Sequence, residues 1–254
     1  MIAIIPARFA AQRLPGKPLL DLAGRPLIVR VCENAQASGV FDRIVVATDH
    51  VGIAEVARQS GFEAVQTDAA LPSGTDRVAA AARVLGLPDD ALVVNVQGDE
   101  PFVSAATLRT VAQRLEQSPT CIATAVEPIT ELASLRDQNV VKTAIGEDDR
   151  ALYFSRAAIP FNRDAAATSA PESPGTERIL HAYRHIGVYA FRLDTLRRIA
   201  ALPPHPLETT ERLEQLRWLA QGERIFAPTV APSPRGIDTA EDLLLAIAYM
   251  QALS

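Results

Sequence analysis

The sequence predicts an α/β protein built on a mostly parallel sheet with helices on both faces. Three observations carry this. A short continuous apolar run at residues 2–5 reads as a buried strand, and strand-like runs recur at 44–47, 64–66 and 92–96. Helical patterns at residues 53–60 and 76–85 lie between them, so strand and helix alternate at the short intervals of right-handed βαβ units. Gly39 and Gly61 fall where helices should stop.

The first run, IAII, ends at Pro6 and enters a loop reading PARFAAQRLPGKP. A loop after a buried parallel strand lies at the carboxyl edge of the sheet, where open α/β folds bind their ligands. Arg8, Arg13 and Lys17 place three cations in ten residues of a chain whose net charge is −5, and no acid intervenes before Asp21. Such cations repel one another unless an anion sits among them, and Gly16 lets a ligand approach the backbone. The loop therefore reads as a phosphate cradle, although the spacing alone fits a solvated loop equally well. The Walker pattern fails because Pro18 follows Lys17, and GxGxxG fails because Gly16 is the loop's one glycine.

The next strand–helix junctions supply further candidates. LPSGTDRV brings Ser73, Gly74 and Arg77 to a loop-to-helix boundary, which suits a polar ligand or a plain helix cap. In LVVNVQGDEP, Gln97 and Asp99 follow a buried strand. A carboxylate at that edge is compatible with phosphates mainly through a bridging divalent cation, for which magnesium is suited; the alternative is an ordinary turn residue.

Beyond about residue 120 the rhythm changes. VVKTAI, ALYFSR and RHIGVYAFR are strand-like without long helices between them, so this part should be partly antiparallel. Residues 157–176, rich in Pro, Ala and Ser, read as a long loop. Helices are expected again at 207–220 and 240–252. With no repeat and no clear linker, the expectation is one domain over 1–254 with an inserted lobe at about 140–195. In the last helix, Asp238 followed by Glu241 resembles a capping box.

Composition narrows the function. A chain 48% hydrophobic can bury a large core. An excess of acids, 30 Asp and Glu against 25 Lys and Arg, argues against a nucleic-acid partner, which needs a sustained basic face. Cys32 and Cys121 show no metal-like spacing and read as reduced core residues. No stretch approaches the roughly 20 apolar residues of a membrane span, and Pro6 and Arg8 interrupt any leader-like run. A soluble cytoplasmic protein without membrane contact is expected.

Taken in order along the chain, PARFAAQRLPGKPL, VATDH, SGTDR, VNVQGDEP, YFSRAAIP, RHIGVYAF, PLETTERLEQLR and GIDTAEDL resemble the 3-deoxy-manno-octulosonate cytidylyltransferase (CMP-Kdo synthetase) family. The resemblance implies a Rossmann-like nucleotidyltransferase fold with a smaller antiparallel dimerisation lobe. It implies activation of the acid sugar Kdo by CTP for lipopolysaccharide synthesis, with Mg2+ as cofactor and a homodimer as the assembly. By the same resemblance Arg8, Arg13 and Lys17 would grip the triphosphate. Ser73, Gly74, Arg77 and Gln97 would face the nucleotide, and Asp99 and Asp238 would hold the metal. Gln97, Arg156, His185, Tyr189, Glu208, Glu211 and Gln215 would form the sugar site. On one helix Glu208, Glu211 and Gln215 would share a face at i, i+3 and i+7. The rivals are a cytidylyltransferase for another acid sugar, such as 8-amino-Kdo or neuraminate, and a non-catalytic nucleotide-binding protein on the same fold. The sequence departs from the family's pattern at Phe9, where Tyr is usual, at Ala11, where a small hydroxyl residue is usual, and at Asp76, where relatives carry Glu. The segment 165–177 matches no pattern.

Overall fold

A computed structural model describes residues 1–10, 14–117, 122–163 and 181–252. Arg13, Ala11, Cys121 and the segment 165–177 lie outside the described residues. The chain forms two compact units, one of Met1–Ala123, Gly187–Ala201 and Ser233–Ser254, the other of Thr124–Ile186 and Leu202–Pro232.

The first unit begins with β1 (Ile2–Ala7), a strand buried at every position. A 3-10 turn (Lys17–Leu19) and α1 (Leu27–Ala37) lead to β2 (Arg43–Thr48), α2 (Val51–Gln59), β3 (Glu63–Gln66), α3 (Gly74–Val84), β4 (Leu92–Val96) and α4 (Ala105–Gln117). β1 pairs in parallel with β2 on one side and β4 on the other, and β3 joins β2 in parallel. The expected alternation of strand and helix is what forms, with strands that are mostly apolar where they are buried. All four parallel strands deliver their following loops to one edge. At that edge β1 and β4 touch: a Cβ on Gly98 would lie 2.7 Å from the carbonyl oxygen of Pro6, so only glycine fits there.

The chain continues through β5 (Ile122–Pro128), α5 (Leu132–Arg136), β6 (Lys142–Ile145), β7 (Ala151–Ser155) and β8 (Tyr183–Arg192). In the second unit β6 pairs antiparallel with β7 and with the start of β8, as the change of rhythm past residue 120 predicts. The buried ammonium of Lys142 ties this unit together by donating to the carbonyls of Asp137, Val140 and Arg156 at 2.8, 2.6 and 2.6 Å. The end of β8 belongs to the first unit, where it runs antiparallel to β4 with Tyr189 opposite Asn95. α6 (Leu193–Ala200) follows it there.

One expected helix is two. Residues 207–220 divide into α7 (Pro206–Glu211) and α8 (Gln215–Ala220), with Arg212 between them in the left-handed region at φ 52°. Helix continuation would have the Gln215 N–H bond to the Glu211 carbonyl. That carbonyl instead accepts from Arg156 Nε at 2.8 Å. The strand β9 (Ile225–Phe226) follows, and α9 (Ala240–Ala252) closes the first unit. Among the described residues no helix is long and apolar enough to cross a membrane.

Candidate active site

The loops after β1 and β4 and the start of α3 enclose a cleft of about 200 Å³ lined by Ala7, Arg8, Lys17, Gly74, Gln97 and Asp99. Gly16, left-handed at φ 67°, turns the chain into the 3-10 segment that presents Lys17. The Lys17 ammonium donates to Asp99 Oδ2 at 2.6 Å and to Asp238 Oδ1 at 3.0 Å. Burial alone would lower its pKa, but the two carboxylates outweigh burial and hold it above the ordinary value of 10.5.

The two acids are brought together by main chain. The Ile237 N–H donates to the Asp99 carbonyl at 2.8 Å, which lays the segment before α9 along the turn after β4. Gly236 allows this closeness, since a Cβ there would meet the Glu100 carboxyl carbon at 2.9 Å and the Asp99 carbonyl at 3.0 Å. The capping box expected at Asp238 and Glu241 falls one residue later. Thr239 Oγ1 accepts from the Asp242 N–H at 3.1 Å, and Asp242 Oδ2 accepts from the N–H groups of Thr239 and Asp238 at 2.8 and 3.0 Å. A backbone amide, not a carboxylate, is what Asp238 contributes to the cap, and its side chain reaches Lys17.

The α3 candidates separate. Gly74 faces the cleft against Gln97, whose amide a Cβ would approach to 3.3 Å. Ser73 is the helix cap: its Oγ accepts from the Asp76 N–H at 3.1 Å and donates to the Asp76 carboxylate at 2.6 Å. Arg77 is wholly buried, donating to Thr67 Oγ1 at 2.5 Å and to Asp49 Oδ2 at 3.3 Å. Burial lowers its pKa, Asp49 offsets part of that, and the nearby Arg8 charge lowers it further. Gln97 Nε2 donates to Asn95 Oδ1 at 3.2 Å, so a buried asparagine in β4 braces a residue of the cleft. Tyr189 is buried and stacks on Phe191.

The remaining sugar-site candidates belong to the second unit. Glu211 accepts from Ser155 Oγ at 2.7 Å and from the Arg156 N–H at 2.9 Å, and the Arg156 guanidinium donates to the carbonyls of Glu211 and Gln138. His185 Nε2 and Thr124 Oγ1 are 2.9 Å apart, and the ring packs edge-on to Phe154. Desolvation, reinforced by the Arg184 charge, pushes the imidazole pKa down to about 3. Glu208 accepts from the His205 N–H at 3.2 Å and pairs with the buried Arg217. Gln215 is buried. Because α7 and α8 are separate, the single helix face expected for Glu208, Glu211 and Gln215 does not form. Sequence reasoning passed over Asp49; the available signal was an acid one residue past β2, at the same sheet edge as the cationic loop.

Two carboxylates converge here on one cation, the Lys17 ammonium, and the same pair of donors would suit a divalent metal. Among the described residues no group of three or more His, Cys, Asp and Glu could hold a metal alone. A parallel α/β unit with cations and paired acids around a cleft at its strand ends defines a nucleotidyltransferase. A family model described as cytidylyltransferase matches residues 2–225, and the chain belongs to that family. It is also similar to a solved structure of CMP:2-keto-3-deoxy-manno-octonic acid synthetase complexed with CTP. The TM-score is 0.88 and the identity 33%, over 100% of this chain and 99% of that one.

Proposed function

We propose that the protein activates Kdo with CTP, giving CMP-Kdo and pyrophosphate. The observation that carries this reading is the convergence of Asp99 and Asp238 on Lys17, at a cleft that Arg8, Lys17 and Asp99 line. The likeness to a CMP-Kdo synthetase over the full chain supports the choice of sugar.

The reaction joins two anions, so its barrier is electrostatic and positional. The anomeric hydroxyl oxygen of the sugar attacks the α-phosphorus, the bond to the β-phosphate oxygen breaks, pyrophosphate leaves, and the hydroxyl proton passes to solvent. Arg8 and Lys17, with Arg13 by resemblance, hold the triphosphate and stabilise charge on the leaving group. Asp99 and Asp238 would hold magnesium, which supplies charge neutralisation and acidification of the hydroxyl when bound. Gly74 leaves room for the nucleotide, and Gln97, braced by Asn95, lies between nucleotide and sugar. Ser73 and Arg77 act by shaping the start of α3. Arg156, Glu211 and His185, with Tyr189, Glu208 and Gln215, are the proposed sugar-site set. Work as a homodimer in the cytoplasm, feeding lipopolysaccharide synthesis, completes the proposal.

Pyrophosphate release with CTP, magnesium and Kdo tests it, run beside neuraminate in place of Kdo and UTP in place of CTP. Release with CTP and Kdo alone is expected. Release only with another acid sugar would overturn the choice of sugar, and no release with any would overturn the reaction.

A further inference from the structure

The cationic loop is pinched at its base by one residue, Phe9. Its carbonyl accepts from the Gly16 N–H at 3.1 Å, which closes the loop on itself. Its N–H donates to Asp49 Oδ1 at 3.2 Å. Its ring stacks on His50 with centroids 4.0 Å apart and planes 12° from parallel. Asp49 and His50 directly follow β2, and His50 is fixed in turn because its Nδ1 accepts the Gly52 N–H as the cap of α2. Asp49 uses its second oxygen on Arg77, whose guanidinium is fully buried while the Asp49 side chain is 11% exposed.

We infer that Asp49 is a positioning residue for nucleotide binding: it anchors the loop through the Phe9 N–H and neutralises the buried Arg77, so that Arg8 is presented to the triphosphate from a fixed backbone. Arg8 directly precedes the anchored residue, so any shift of Phe9 moves it. A guanidinium buried behind the cleft without its carboxylate would be a costly charge, and its relief would come from rearranging the start of α3 or the loop. Asp49 therefore serves two neighbours with one carboxylate. The inference rests on the reading of this loop as the triphosphate grip and is independent of which sugar reacts.

The test is calorimetric binding of CTP, and of inorganic tripolyphosphate, to the full chain without sugar. Asp49→Asn keeps an acceptor for Phe9 but removes the charge facing Arg77, and a loss of CTP affinity of about tenfold is expected. Phe9→Ala keeps both the main-chain N–H that Asp49 holds and the Asp49–Arg77 pair and removes only the stack on His50, so it should lose less affinity than Asp49→Asn, while Phe9→Tyr, which keeps the stack, should bind as the wild type does. In an Arg8→Ala background neither change should weaken binding much further, since both act through Arg8. Wild-type CTP affinity in Asp49→Asn, or full additivity of Asp49→Asn with Arg8→Ala, would overturn the role of Asp49. Absence of CTP binding by the wild type would overturn the loop reading and this inference with it.

Discussion

The Lys17 ammonium and the Asp99 carboxylate form a counterion pair at 2.6 Å, and Lys17 occupies the point on which Asp99 and Asp238 converge, so the proposed divalent cation would have to break this pair. Lysine and metal cannot both sit there. Lys17→Met is expected to tighten Mn2+ binding to the nucleotide-free protein by about tenfold, a gain of the order of 1.4 kcal/mol, while abolishing turnover. Calorimetric titration with the metal alone checks this; Asp99→Asn added to Lys17→Met should remove the gain. Because Lys17's pKa is raised, its stabilising contribution is complete below 10.5 and is lost as pH climbs through the folded value, so this pair makes stability fall only in strong alkali.

His185 works in the opposite sense. Its folded pKa of about 3 lies below the ordinary 6.5, so the unfolded chain binds the extra proton between those values. Its contribution is complete above pH 6.5 and disappears as pH falls toward 3, worth roughly 3–5 kcal/mol. His185→Gln should flatten that part of the acid limb of a melting-temperature profile. The kcat profile should show no titration of this group near neutrality, since it stays uncharged there and cannot serve as a general acid.

Glu211 gives two acceptor oxygens to Ser155 and to the Arg156 backbone. Glu211→Ala should cost about 2–3 kcal/mol by chemical denaturation because both donors lose their partner, and Glu211→Gln about half as much. The guanidinium of Arg156 bonds to the Glu211 main chain, which both variants keep. The KM for sugar should therefore rise less in Glu211→Gln than in Arg156→Ala.

Gly98→Ala places a methyl group against the Pro6 carbonyl at 2.7 Å. Neither side can yield cheaply, because both are strand-end backbone. Turnover should drop by about a hundredfold through displacement of Asp99, with a stability loss of about 1–3 kcal/mol. Steady-state kinetics alongside thermal melting separates the two effects.

Much of this was legible in the sequence. β1, β2 and β4 announce themselves because a strand buried on both faces leaves no room for polar alternation. The break at Arg212 was not legible: no Gly or Pro marks it, and its cause is a hydrogen bond from Arg156, 55 residues away. The cap at Asp238 was misplaced by one residue because Asp238/Glu241 and Thr239/Asp242 fit the same pattern and only geometry separates them. Within the site, charge type and sheet edge were readable for Arg8, Lys17 and Asp99. The burial of Arg77 was not, since an arginine in the first turn of a helix reads as a surface residue until Asp49 and Thr67 are seen around it.

The contact between Gly98 and Pro6 also bears on how such a chain can vary over time. The approach of β1 to the turn after β4 is set there by main chain against main chain, so it does not depend on the identity of any side chain. A change of the loop's aromatic ring leaves that contact untouched, whereas a single added carbon at residue 98 presses directly on it.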